Sequence, residues 1–201
     1  MLATISGPKT SPWGKVDSCK EICEGAWFVG TPRHGGIKLD RKRNASVPEY
    51  MRRDGGWYEE DCDWCIPVIA IRDVLQGIWR KEGETDDQVL ESAMDTLLNW
   101  HPHSYAQWTG ELLHTLEGRS YMYDKQLFKE RNANNLVVIS AFGSWHKDVP
   151  EGLVGVIATK GGQRDAKVQH CFYVDQERYE QRGERSYVIT PEDCPWSGPD
   201  R

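Results

Sequence analysis

The chain changes period at Asn134-Asn135, and that change restricts the folds open to it more than any single motif does. Before it, apolar residues recur at helical spacing. Val89, Leu90, Ala93, Met94, Leu97 and Trp100 form one stripe, the signature of an amphipathic helix. Thr85 with Gln88 makes a capping box at its start, and Asp86 and Asp87 in the first turn suit the helix dipole. Pro102 opens a short second helix that ends near Gly110, and Ser120 caps a third that stops around Asn134-Asn135. After the change, Leu136 to Phe142, Leu153 to Thr159 and Val168 to Val174 read as strands parted by Gly-containing turns.

The N-terminal part adds more strands. Ala26 to Thr31 reads as a strand, Pro32 to Gly36 as a turn, and Ile37 to Leu39 as the return of a hairpin. Pro48 begins a short helix that Asp54-Gly55-Gly56 halts. Cys65 to Ile71 is β-rich, with Pro67 placing it at a sheet edge or a bulge. Asp175 caps a short helix through Gln181, and Ser186 to Ile189 forms a last strand. The expected fold is α+β, with a mainly antiparallel sheet, an N-terminal hairpin, central helices and a C-terminal β-meander. The expected organisation is a flexible lead-in over 1–14, one α+β domain over 15–190 and an irregular tail over 191–201.

Composition closes several other routes. Nine Trp, eight Tyr and four Phe among 201 residues are incompatible with a disordered chain, and Trp27, Trp57 and Trp64 are expected to be at least half buried. A formal charge of −6 argues against a polybasic nucleic-acid binder. The apolar runs fall short of the about 20 residues that a membrane span needs. No secretory signal is visible at Met1 to Trp13, and six scattered Cys suit reduced thiols, so a cytoplasmic setting is expected.

Cys19, Cys23, Cys62 and Cys65 have spacings that a zinc site can use, but neither pair has a Gly-rich knuckle turn. They are read as ordinary thiols, and no metal or cofactor is expected. His101, His103 and His114 are read as surface or capping residues. Thiol catalysis by Cys62 with His34 is opposed by Glu59, Glu60, Asp61 and Asp63, since negative neighbours suppress the thiolate. A carboxylate site is less strained: His34 with two of Glu59, Glu60 and Asp61 supplies an acid and a base for a hydrolase or transferase. The plainer reading of that segment is a solvated acidic loop. No nucleotide-binding glycine loop occurs.

Charge patterning carries more than the motifs do. From Arg33 to Arg53 seven basic residues face two acidic ones, with Arg41, Lys42, Arg43, Arg52 and Arg53 the densest part. Asp54 to Asp63 holds five acidic residues and Glu82 to Asp95 holds six, with no basic residue in either. On the first helix Asp87, Glu91 and Asp95 stack at i, i+4 and i+8. Such a row imitates a phosphate track and suits a Lys/Arg groove on a protein or nucleoprotein partner. The expectation is a non-enzymatic binding protein acting through charged surfaces, with the His34 and carboxylate site as the alternative.

Ser11-Pro12-Trp13-Gly14, Trp27-Phe28-Val29 with His34-Gly35-Gly36, and Gly56-Trp57-Tyr58-Glu59-Glu60-Asp61-Cys62 resemble a domain-of-unknown-function family of bacterial, plasmid and phage proteins. Gly143-Ser144-Trp145 and Val149-Pro150 through Val156 are similar too, so the likeness runs from about 11 to 190. The resemblance brings no activity with it. It implies a mobile-element setting, in which a small protein that inhibits a host nucleic-acid-targeting defence complex, of anti-CRISPR or anti-restriction type, is the expectation.

Overall fold

The computed structural model describes residues 7–182 and 185–199. The chain divides into two compact units, Met1–Tyr123 and Asp124–Arg201. The span read from sequence as one domain, 15–190, thus carries two apolar clusters, one in each unit.

The first unit opens with two short paired strands, β1 (Thr10–Ser11) and β2 (Gly14–Lys15). All but Lys15 lie within the segment read as a flexible lead-in, 1–14, whose residues 1–6 fall outside the described residues. An antiparallel meander follows in chain order: β3 (Ser18–Cys23), β4 (Ala26–Gly30), β5 (Gly35–Leu39) and then β6 (Trp57–Glu59). The predicted hairpin is its β4–β5 pair, in register Phe28 to Ile37. Trp13 meets Trp57 edge-on at 5.7 Å, and Trp27, Trp57 and Trp64 are all largely buried. Between β5 and β6 the basic segment forms α1 (Arg41–Ala45), capped by Asp40, and single 3₁₀ turns at Glu49–Met51 and Asp54–Gly56.

Cys65 to Ile71 departs from the sequence reading: it is helical, as α2 (Cys65–Ala70). Cys65, Ile66, Pro67 and Val68 are all buried, so the run is apolar because it is covered all round, not because it alternates. Pro67 sits in the first turn, where its missing N–H breaks no helical bond. Next come α3 (Arg72–Gly77), α4 (Asp86–Trp100) and α5 (Pro102–Thr109), with Gly110 left-handed at the end of α5. The capping box of Thr85 and Gln88 forms as predicted. Val89, Ala93 and Leu97 are buried, but Trp100 is exposed and tilts against Tyr121 instead.

Helix α6 (Tyr121–Arg131) begins at Ser120, whose Oγ accepts from the Tyr123 N–H and donates to the Leu98 carbonyl at 2.6 Å. The second unit is built on β7 (Leu136–Phe142), β8 (Leu153–Lys160) and β9 (His170–Asp175), then α7 (Gln176–Glu180) and β10 (Cys194–Pro195), in the antiparallel order β10-β9-β8-β7. The strand predicted over Ser186 to Ile189 reduces to a bridge at Val188, paired with Val137. The tail is more ordered than expected. Its β10 pairs with β9, and Trp196 is buried and stacked on Tyr173 at 5.2 Å.

Candidate functional site

Sheet register joins two motifs that the sequence holds far apart. Gly36 pairs with Glu59 across β5 and β6, and the Glu60 N–H donates to the Gly35 carbonyl at 3.1 Å. The turn before β5 is tied by Thr31, whose Oγ1 accepts from the His34 N–H and donates to the His34 carbonyl. Gly35 marks a close approach: a Cβ there would lie 2.5 Å from Glu60 Oε2 and 3.0 Å from the Val29 carbonyl oxygen. Its bareness lets the Glu60 carboxylate lie over the backbone beside His34. As a result His34, Glu59 and Glu60 each offer an atom within 4.8 Å of the others.

Asp61, the fourth residue of the predicted site, is not in that group. Its N–H and that of Cys62 donate to Glu59 Oε2 at 2.8 and 3.3 Å, so Glu59 also fastens the turn. An imidazole beside two carboxylates can pass a proton, or offer one nitrogen and two oxygens to a divalent ion.

Glu60 also borders a cavity of about 630 Å³ in the first unit. Its walls are the aliphatic Ile22, Ile37, Ile78 and Val89, the aromatic Phe28, Trp64 and Trp79, and the charged Lys20, Glu21, Glu60 and Glu84. Of these, Ile37 and Val89 are buried, while Trp79 is 76% exposed. Gly77 makes the wall possible. A Cβ there would lie 2.3 Å from the Ile22 carbonyl oxygen, so only glycine lets the end of α3 meet β3. Sequence reasoning missed this cavity; the signal available was Trp79 standing among charged residues just after a glycine.

Asp87, Glu91 and Asp95 are exposed on α4, and among the described residues no ion pair reaches them. Neighbouring Asp86, by contrast, is neutralised by Arg80. The basic set divides. Arg41 and Lys42 are exposed. Arg43 pairs with Asp73 at 2.8 Å, Arg52 donates to the carbonyls of Ala45 and Val47, and Arg53 turns to Asp63. Three of the five basic residues expected at the contact surface therefore also brace the fold.

Asp63 is the centre of a network that the sequence did not suggest. Its Oδ1 accepts from Arg53 at 2.8 Å and from His101 Nε2 at 3.1 Å. Arg53 can only donate, so His101 Nδ1, 3.3 Å away, accepts and Nε2 carries the proton. Burial opposes ionisation of Asp63, but the hydrogen bonds from His101 and Arg53 and the charge of Arg53 outweigh it and hold its carboxyl at about 2. The same burial, with Asp63 and Glu59 close by, pushes the Cys62 thiol up to about 11. Burial first, then Asp63 and Cys62, takes Cys65 to about 12. Neither is a ready nucleophile. The four cysteines of the zinc spacing do not form one group; Cys62 instead lies within ligand reach of Asp63 and His101.

These features define an α+β protein whose polar cluster and cavity are both built on one antiparallel meander and the helices packed against it. The chain belongs to the family described as Domain of unknown function (DUF7007), which matches residues 6–133. The match covers His34-Gly35-Gly36 and Gly56 to Cys62, and ends before the similar pieces at 143–156. No curated protein and no solved structure matches the chain. Among the described residues no helix is long and apolar enough to cross a membrane.

Proposed function

We propose that this is a binding protein that engages a positively charged surface of a partner through the carboxylate row of α4. The observation that carries the reading is that Asp87, Glu91 and Asp95 stand exposed and without cationic partners among the described residues. Like charges at i, i+4 cost a few tenths of a kcal/mol per pair (about 0.2–0.5) in an isolated helix. Only Asp87 lies near enough to the helix start to recover some of that from the dipole. The first unit has 14 basic against 19 acidic residues, so its wider field reinforces the row.

In its finer form the partner is a host nucleic-acid-targeting complex, whose basic groove the row would fill in place of a phosphate backbone. The test uses a labelled Lys/Arg-rich peptide, with binding followed by fluorescence anisotropy across a salt series. Affinity should fall as salt rises and drop at least about tenfold in Glu91→Lys/Asp95→Lys, whose circular dichroism should not change. Equal affinity in the double variant would remove the row from the interface.

A second reading, hydrolysis or group transfer, is favoured by the convergence of His34 with Glu59 and Glu60. There His34 and Glu60 would exchange protons with substrate while Glu59 holds the turn. His34→Ala separates the two readings, because it would abolish turnover and leave stoichiometric peptide capture intact.

A further inference from the structure

We propose that the cavity beside β3 binds a small amphiphilic cation, an apolar body carrying an ammonium or guanidinium group. Its volume, about 630 Å³, falls inside the range of about 300–1,000 Å³ usual for small-molecule sites. The wall composition assigns the ligand's two ends. Buried Ile37 and Val89, with largely buried Trp64, offer nothing to a charged group and accept hydrocarbon.

The charged part of the lining is different. Glu21 and Glu60 are exposed and Glu84 half-buried, against the single cation Lys20, and none of the three carboxylates has an ion-pair partner among the described residues. One oxygen of Glu84 accepts the Lys81 N–H at 3.0 Å, and one of Glu60 lies over Gly35. Glu84 is thus held in place with its second oxygen left for a ligand. Trp79 is an exposed part of the same lining, and an indole ring face attracts a cation electrostatically. An anion would meet three carboxylates. A neutral ligand would cover those carboxylates and return no compensating charge to them. A cationic head on an apolar body satisfies both regions at once.

This site is distinct from the α4 row, and the two stand or fall separately. The test measures three probes with one common body by isothermal titration calorimetry: phenethylammonium, phenethyl alcohol and 3-phenylpropionate. The expected order is cation first, alcohol at least about tenfold weaker, and propionate weakest. Glu60→Gln/Glu84→Gln should erase the advantage of the cation over the alcohol, and Trp79→Ala should weaken the cation. Glu91→Lys/Asp95→Lys should bind the cation as the parent protein does, whatever becomes of peptide capture. Equal affinity for cation and alcohol, preference for propionate, absence of saturable cation binding, or unchanged selectivity in the double Gln variant would each overturn the proposal.

Discussion

Replacing Asp63 with Asn removes a charge and leaves the side chain's shape, so the network it anchors can be weighed. Asp63 is 18% exposed, receives Arg53 at 2.8 Å and His101 at 3.1 Å, and ionises at about 2 where an ordinary aspartate does so at 3.8. A depressed folded pKa means stability that is fully present above the unfolded value and lost as pH falls through the folded one. The difference corresponds to about 2 kcal/mol at neutral pH. The introduced amide can still accept one hydrogen bond, but it leaves Arg53 part-buried without a counter-charge, which adds to the cost. Asp63→Asn should therefore lose about 2–3 kcal/mol at pH 7, below the roughly 3–5 kcal/mol typical of fully buried pairs. Urea unfolding at a series of pH values is the assay. Between about pH 5 and 2 the parent should lose about 2 kcal/mol more than the variant, so that the two curves converge. Parallel curves, or a loss under about 0.5 kcal/mol at pH 7, would refute the reasoning, since the charge contribution would then be absent.

Leu97→Ala should cost about 2–5 kcal/mol, read by the same unfolding assay, because Leu97 is wholly buried where α4 meets the first unit's core. Thiol labelling at about pH 8 should reach exposed Cys194 early and leave Cys62 and Cys65 to the last, since burial and Asp63 keep their thiolate fractions very small. Early modification of Cys62 would contradict the charge pattern around it. Purified protein should carry less than one equivalent of zinc, and chelation should leave its circular dichroism unchanged; stoichiometric zinc held by Cys19, Cys23, Cys62 and Cys65 would be the opposite result.

Local signals are readable wherever they sit within one turn of the residues they act on. Thr85 and Gln88 form their box, Gly110 is left-handed at the end of α5, and Asp175 accepts from the Arg178 N–H. Cys65 to Ala70 misleads for a physical reason. A short apolar run has the same composition whether it is a strand or a helix covered on all sides, and only the elements around it decide. The tail misleads because Trp196 gains its burial from Tyr173 and from strand pairing with β9, neither of which is local.

The sequence by itself determined the α+β class, the helical centre, the antiparallel strands and the presence of an acid row on α4, because each depends on period, caps or spacing within one element. The tertiary structure alone decided which charges are available. Residues 10 apart bring Arg53 to Asp63, 30 apart bring Arg43 to Asp73, and 48 apart bring Arg53 to His101. It also decided that His34 meets Glu59 and Glu60 while Asp61 does not, because strand register selects which side chains share a face. The cavity belongs wholly to that second kind of information. Its walls come from β3, β4, β5, the turn between β6 and α2, and the segments about α3 and α4, and Gly77 lets the end of α3 meet β3 at one of them.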